Sequence, residues 1–371
     1  MPAIPSPPDD RLDRAQRAVV EAGWAAILVS AGTDLRYLTG YDAHPSERLT
    51  CLVVPAEGAP LLVVPELEAP MVAAAGAETA LRPWAETEDP FGVVADHLGQ
   101  IRSPGKVGIG NRMWAEHALH LRSATGAELE LAGPVMAQLR MRKDSAECAA
   151  LLEAGQAIDR VHARMSEWLR VGRTEREVGR DIAGAIVAEG HERAEFVIVG
   201  SGPNGASPHH LLSDRVIETG DVVVVDIGGP IEDGYYSDST RTYVVGGPAA
   251  PEVLDFYAVL QAAQEAACEI VSPGVTAETV DRTARAIIER AGYGANFIHR
   301  TGHGIGLDVH EDPYIVSGNG IPLEAGMAFS IEPGIYLPGR FGARIEDIVI
   351  CTDGGVQRLN VGTRDLVTLG A

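Results

Sequence analysis

Carboxylates set into apolar, strand-like runs constrain this chain more than any other feature. Between Asp221 and Glu346 the sequence reads VVVVDIGG, then SDSTRT, then HRTGHGIGLDVHE, then SIEPGIY and RIED. These phrases place Asp226, Asp238, His303, Glu332 and Glu346 in or beside stretches that read as buried strands. An unpaired carboxylate in such a run costs several kcal/mol or is driven to protonate. Buried acids therefore need a compensating cation. Two divalent metal ions would supply it.

Asp226 follows four valines and precedes Ile227-Gly228-Gly229, and Asp238 comes twelve residues later. A hairpin through Gly229–Gly234 is expected to bring the two side by side. Arg241 is an alternative partner for Asp238, as an ordinary ion pair. His303 sits in TGHGIG, where flanking glycines leave the imidazole unobstructed. Glu332 precedes Pro333-Gly334, and Glu346 alternates with Arg344 along a strand. A solvated acid at a strand end explains one such residue, but not two glutamates, two aspartates and a histidine together. Imidazole with carboxylates suits Mn, Co, Zn or Fe(II) better than Ca or Mg. Four carboxylates balance two divalent ions, and ions about 3.5–4 Å apart can share and acidify a water while polarising a carbonyl. That is hydrolytic equipment.

The 371 residues are enough for about two domains at ~150 residues each. Against 30 basic residues stand 52 acidic ones, a formal charge of −22, which argues against nucleic acid or an anionic membrane surface as partner. Cys51, Cys148, Cys268 and Cys351 are widely spaced and read as reduced, buried thiols. The opening MPAIPSPPDDR has no apolar core of a signal peptide, and no run reaches the ~18 apolar residues of a membrane span. The expected location is the cytoplasm.

Residues 1–8 read as a disordered lead. A helix is predicted over Asp9–Gly23, followed by the strand AAILVS. Short apolar runs at Leu49–Pro55, Pro60–Val64 and Lys106–Ile109 then alternate with helical stretches at Glu66–Ala75, Pro90–Leu98 and Ala115–Ser123. This alternation predicts a small α/β domain over residues 1–140. The second domain, 141–371, opens with a capping box at Asp144 and Glu147, and a second box follows at Thr174 and Glu177. Two helices, strands, two helices and strands follow in turn. That order hints at an internal duplication.

These phrases resemble the signature of the metal-dependent Xaa-Pro peptidases, the group holding prolidase and aminopeptidase P. The resemblance covers about Asp144 to Thr352. It implies an α/β N-terminal domain of the creatinase type before a pita-bread catalytic domain. It also implies two divalent ions, with Mn the first expectation and Co or Zn also able to bind. By this likeness Asp226 chelates one ion, Asp238 and Glu346 bridge both, and His303 with Glu332 completes the other. Glu332 would also handle the proton of the bridging water. His299 and His310 would bind the scissile carbonyl, His209 would line the substrate pocket, and Arg344 would pair with an acidic ligand. The residues alone do not choose His209 over His210. The creatinase branch lacks these ligands, and all five are present.

The resemblance implies a small proline-containing peptide as substrate and a homodimer, with a prolidase the first reading. In some prolidases a basic residue follows the HExP turn, to meet the dipeptide carboxylate. Here that position is Tyr314, and Arg340 is an alternative cation. Aminopeptidase P, another amide hydrolase of this fold, and a non-enzymatic peptide-binding protein stay open.

Overall fold

The computed structural model describes residues 10–77, 79–99 and 105–370, so the predicted lead over residues 1–8 lies outside the described residues. The chain splits into two compact units, Met1–Arg140 and Met141–Ala371.

In the first unit the strands are β1 (Ala26–Ser30), β2 (Cys51–Pro55), β3 (Leu61–Pro65), β4 (Ala80–Trp84), β5 (Lys106–Ile109) and β6 (Glu128–Leu131). They form one sheet in the order β4-β3-β2-β1-β5-β6. Around them run α1 (Arg11–Glu21), α2 (Thr33–Thr39), α3 (Ala69–Ala74), α4 (Pro90–Gly99), α5 (Ala115–Thr125) and α6 (Gly133–Met141). Leu28, Val53, Val63, Val94 and Leu121 make its core. Sequence reading misses β4 and β6 for one reason: they are the two sheet edges. Their sequences, ALRPW and ELEL, carry the proline and charges that edge strands tolerate.

The second unit is built twice over. Helices α7 (Ser145–Ala163, 19 residues) and α8 (Glu175–Ala188, 14 residues) are matched by α9 (Pro251–Glu269, 19 residues) and α10 (Ala277–Arg290, 14 residues). Both predicted capping boxes are formed, at Asp144 with Glu147 and at Thr174 with Glu177. The first helix pair packs on β7 (Phe196–Ser201), β8 (Val222–Pro230) and β9 (Tyr236–Val245). The strands after α10 are β10 (Gly302–Gly304), β11 (Glu311–Ile315), β12 (Ala328–Ile331), β13 (Gly334–Leu337), β14 (Phe341–Arg344), β15 (Asp347–Thr352), β16 (Gly355–Arg358) and β17 (Val367–Leu369). They give a sheet ordered β11-β10-β12-β15-β16, a β13-β14 ribbon, and β17 added beside β9 in the sheet β17-β9-β8-β7. Isolated bridges recur at matching places, Thr174 with Val216 and Thr276 with Pro322.

Beside these bridges the sequence itself repeats. Gly172-x-Thr174 and Gly274-x-Thr276 open the second helix of each pair, and Gly190 and Gly292 close it at the same offset. Thus the duplication inferred from element order has a residue-level frame.

Gly302 shows how tightly the second sheet closes around the acidic phrases. A Cβ there would stand 1.9 Å from the carbonyl oxygen of Ser330 on the neighbouring strand β12. Backbone cannot give way as a flexible side chain can, so overpacking of this kind costs about 1–3 kcal/mol. Gly302→Ala is expected to lower the melting temperature of the second unit by several degrees, as followed by calorimetry. A wild-type transition would show that this approach is not tight.

Candidate active site

Antiparallel pairing sets Asp226 of β8 opposite Thr240 of β9, and Gly228 opposite Asp238. Side chains two apart on a strand share a face, so Asp226 and Asp238 become diagonal neighbours on one face. Ser239 and Arg241 point to the other. Arg241 is therefore not the partner of Asp238: its Nη2 lies 2.8 Å from Asp347 Oδ1, and its Nη1 donates to the carbonyls of Glu346 (2.6 Å) and Thr240 (2.9 Å).

The second sheet brings three more groups to these aspartates. His303 on β10 sets Nε2 3.1 Å from Glu332 Oε1 and 3.6 Å from Asp238 Oδ2. Glu332 follows β12, and its Oε1 also accepts from Ser330 Oγ at 3.0 Å. Glu346 stands between β14 and β15, tied to β9 by its N–H on the Thr240 carbonyl (3.1 Å) and by the Thr240 hydroxyl on Oε2 (2.7 Å). One ligand atom each from Asp238, His303 and Glu346 lies within 4.8 Å of the others, an arrangement able to hold a metal ion. Asp226 flanks that group. Its Oδ2 accepts from Arg344 Nη2 at 2.5 Å, while its Oδ1 is buried without a hydrogen-bond partner. The single proton of the Thr240 hydroxyl is directed at Glu346.

Electrostatics state the same need. Burial pushes the carboxyls of Asp238 and Glu346 well above the carboxylate range, and the charges of neighbouring acids push them further. Burial likewise raises Asp226 against the opposing charge of Arg344. For Glu332 burial acts upward, but the hydrogen bond and charge of His303 outweigh it and bring the carboxyl down to about 2. One arginine does not balance four carboxylates. The orphaned Asp226 oxygen and the mixed oxygen and nitrogen donors fit divalent cations, whose charge would return Asp226, Asp238 and Glu346 to their ionised forms.

Around this cluster lies a cavity of about 1200 Å³. Phe196, Val197, Ile198, Leu211, Leu212 and Val309 supply an apolar wall, and His209, His299 and His310 line the cavity with the acids. Burial and the neighbouring His303 charge depress His310 to about 4, so it is neutral at pH 7. Burial also lowers His299, whose Nε2 meets the Tyr336 hydroxyl at 3.0 Å. The same hydroxyl accepts from Arg344 Nη1 at 2.7 Å. Tyr336 thus links a cavity-lining histidine to the arginine that holds Asp226. Sequence reading quotes it in EPGIY without giving it a part, because its role depends on a cross-strand neighbour.

Arg340 corrects an expectation. It is half exposed, pairs with Glu252 at 2.7 Å, and does not line the cavity. The cations that do, besides Arg344, are Arg176 and Arg300. The Arg300 guanidinium lies 4.5 Å from the ring centre of Tyr314. The residue after the HExP turn is therefore a platform for a cation supplied from fourteen positions upstream, beside His299.

Residues 149–353 match metallopeptidase family M24, and residues 11–142 match the creatinase/prolidase N-terminal domain. The chain belongs to metallopeptidase family M24: it is a metal-dependent peptidase with a pita-bread catalytic domain behind a creatinase-type N-terminal domain, and the family implies divalent metal ions. It is 53% identical over 362 residues to a Mycobacterium tuberculosis protein named as a probable dipeptidase PepE, covering 97% of this chain and 96% of that one. Among solved structures, dipeptidase PepE from Mycobacterium ulcerans matches 97% of each chain at 53% identity, with a TM-score of 0.92. A prolidase from Thermococcus sibiricus matches 97% of this chain and 98% of that one at 40% identity, with a TM-score of 0.90. No helix of the described residues is long and apolar enough to cross a membrane.

Stripping metal should expose the imbalance of charge. Chelator is expected to lower the melting temperature of the second unit by several degrees, and added Mn to restore it, because the ions bind the folded site alone. An unchanged melting curve in chelator would contradict a buried metal cluster.

Proposed function

We propose that this chain is an Xaa-Pro dipeptidase, a prolidase, hydrolysing the bond before proline in dipeptides. One observation carries the reading: the acidic cluster opens on a cavity that also presents Arg300, a cation suited to a dipeptide's carboxylate. Similarity to a prolidase over 97% of the chain supports the same substrate class.

In this reading Asp226, Asp238, His303, Glu332 and Glu346 would hold two divalent ions. Mn is the first choice, and Co or Zn suits the same donors. When bound, the ions supply Lewis acidity toward the scissile carbonyl and acidify water for its attack. Glu332 is ionised and faces the cavity, so it can take up the proton of the attacking water and return it to the leaving nitrogen. His310 is a neutral imidazole with one N–H to donate to the developing oxyanion. The N–H of neutral His299 is instead held at Nδ1 by the Arg300 carbonyl (2.7 Å), so its Nε2 accepts from Tyr336 and its ring lines the cavity. Arg344 holds Asp226 and, through Tyr336, the ring of His299. The apolar wall that includes Phe196 and Val309 would receive the proline ring and its preceding side chain.

The cavity volume favours a second reading. At about 1200 Å³ it exceeds the ~300–1000 Å³ that holds a drug-sized ligand, so longer Xaa-Pro peptides, as for aminopeptidase P, also fit. Four free thiols support the cytoplasm as its place of action. A homodimer is the assembly that the resemblance implies.

Product release from Ala-Pro and Ala-Pro-Ala, in chelator and then with Mn, separates these readings. A dipeptidase cleaves Ala-Pro alone, and only with metal. Arg300→Ala is then expected to raise KM for Ala-Pro ~10–100-fold, the loss of one charge-assisted contact of about 1.5–3 kcal/mol. Arg340→Ala should leave it unchanged. Cleavage of the tripeptide would move the function to aminopeptidase P. Full metal-dependent activity in Asp238→Asn would overturn the ligand assignment.

A further inference from the structure

Glu175 is fully buried in the first turn of α8, and the reaction above gives it no part. Its carboxylate accepts from the N–H and hydroxyl of Ser201 (2.8 and 2.7 Å), Asn204 Nδ2 (3.0 Å), and His210 Nε2 (2.7 Å). The Ser213 hydroxyl and N–H complete the set at 2.5 and 3.3 Å. These donors belong to both ends of the segment 201–213, so one anion closes the segment into a loop. Burial would push the Glu175 carboxyl up, but the donors outweigh it and hold the group below the usual range.

That loop forms one wall of the substrate cavity. Its Pro208 carbonyl lies 3.4 Å from both terminal nitrogens of Arg344, the residue that grips Asp226. His209 lines the cavity and makes no hydrogen bond among the described residues. The adjacent His210 is committed to Glu175. Backbone seats the other side of the loop: a Cβ on Gly342 of β14 would stand 2.2 Å from the Gly205 carbonyl oxygen, so this approach requires glycine.

We propose that Glu175 is a positioning residue. By gripping Ser201, Asn204, His210 and Ser213, it fixes the wall that presents His209 to the substrate and braces Arg344 through the Pro208 carbonyl. The two neighbouring histidines thereby divide their work: His210 anchors the wall and His209 meets the ligand. The inference rests on the cavity being the substrate site, as proposed above.

The test uses the full chain with Mn and has two readouts. In Glu175→Gln, hydrogen–deuterium exchange of the segment 203–214 is expected to rise at least tenfold, with β8 and β9 exchanging as in wild type. The same variant should lose about tenfold in kcat/KM for Ala-Pro, and a clearly smaller factor when His209→Ala is already present, because the part of the effect that runs through His209 is then gone and only the Arg344 route remains. Ser213→Ala removes a single donor and should show the same pattern at smaller size, which serves if Glu175→Gln does not fold. Wild-type exchange in the segment, or an equal fold-loss with and without His209, would overturn the proposal. A failure of the dipeptidase reading looks different: wild type would not cleave Ala-Pro, while the exchange readout would still decide whether Glu175 anchors the wall.

Discussion

Charge compensation at a cluster of four carboxylates, three of them buried, is the constraint on which the second unit turns. Asp226, Asp238, Glu332 and Glu346 are drawn from two different sheets and brought together where burial opposes their ionisation. The protein supplies partial relief through Arg344, Thr240, Ser330 and His303. It leaves the buried Asp226 Oδ1 without a partner. A stable fold would not converge like charges in this way for packing alone, since leaving a buried charge unpaired costs several kcal/mol. The cluster is therefore a device for binding cations, and its stability and chemistry share one origin.

The doubled architecture explains how such a cluster is held. Each half supplies two helices and a sheet, and the proposed ligands are divided between the halves. Asp226 and Asp238 lie on β8 and β9 of the first, whereas His303, Glu332 and Glu346 stand on or beside strands of the second. On the opposite face of β9, Arg241 donates to the carbonyls of Thr240 and Glu346, which fastens the two halves directly behind the ligands. Its partner Asp347 is fully buried and also accepts from Gln264 at 2.9 Å and from Arg364. Arg241, Asp347 and Arg364 are bonded to one another or to backbone carbonyls at this depth, so these strands cannot drift apart without breaking a buried network.

Much of this was legible in the residues because it depends on local pattern. Asp226 inside a valine run, His303 between glycines, and the capping boxes at Asp144 and Thr174 are each visible within a few positions. The repeat frame at Gly172 and Gly274 was equally visible, but only to a comparison of distant stretches. What was not legible depends on cross-strand register. Tyr336 joins His299 to Arg344 across the β13-β14 ribbon, and Arg300 reaches the ring of Tyr314 on β11 from the stretch that leads into β10. Arg340 looked like a cation near the site because it is close in sequence to Glu346, yet it faces Glu252 at the surface. Glu175 carried no signal beyond its place in a helix cap. Its importance lies in the six donors that converge on it from a loop more than twenty residues away.

Counting bound metal tests the central claim most directly. Equilibrium dialysis of the full chain against Mn, with elemental analysis of the protein, reads how many ions the carboxylate cluster accepts. Two ions per chain are expected, falling in Asp238→Asn and in Glu346→Gln because each removes a proposed ligand. A chain that takes up no Mn, Co or Zn, or variants that bind as wild type does, would contradict the view that these buried acids are paired with metal.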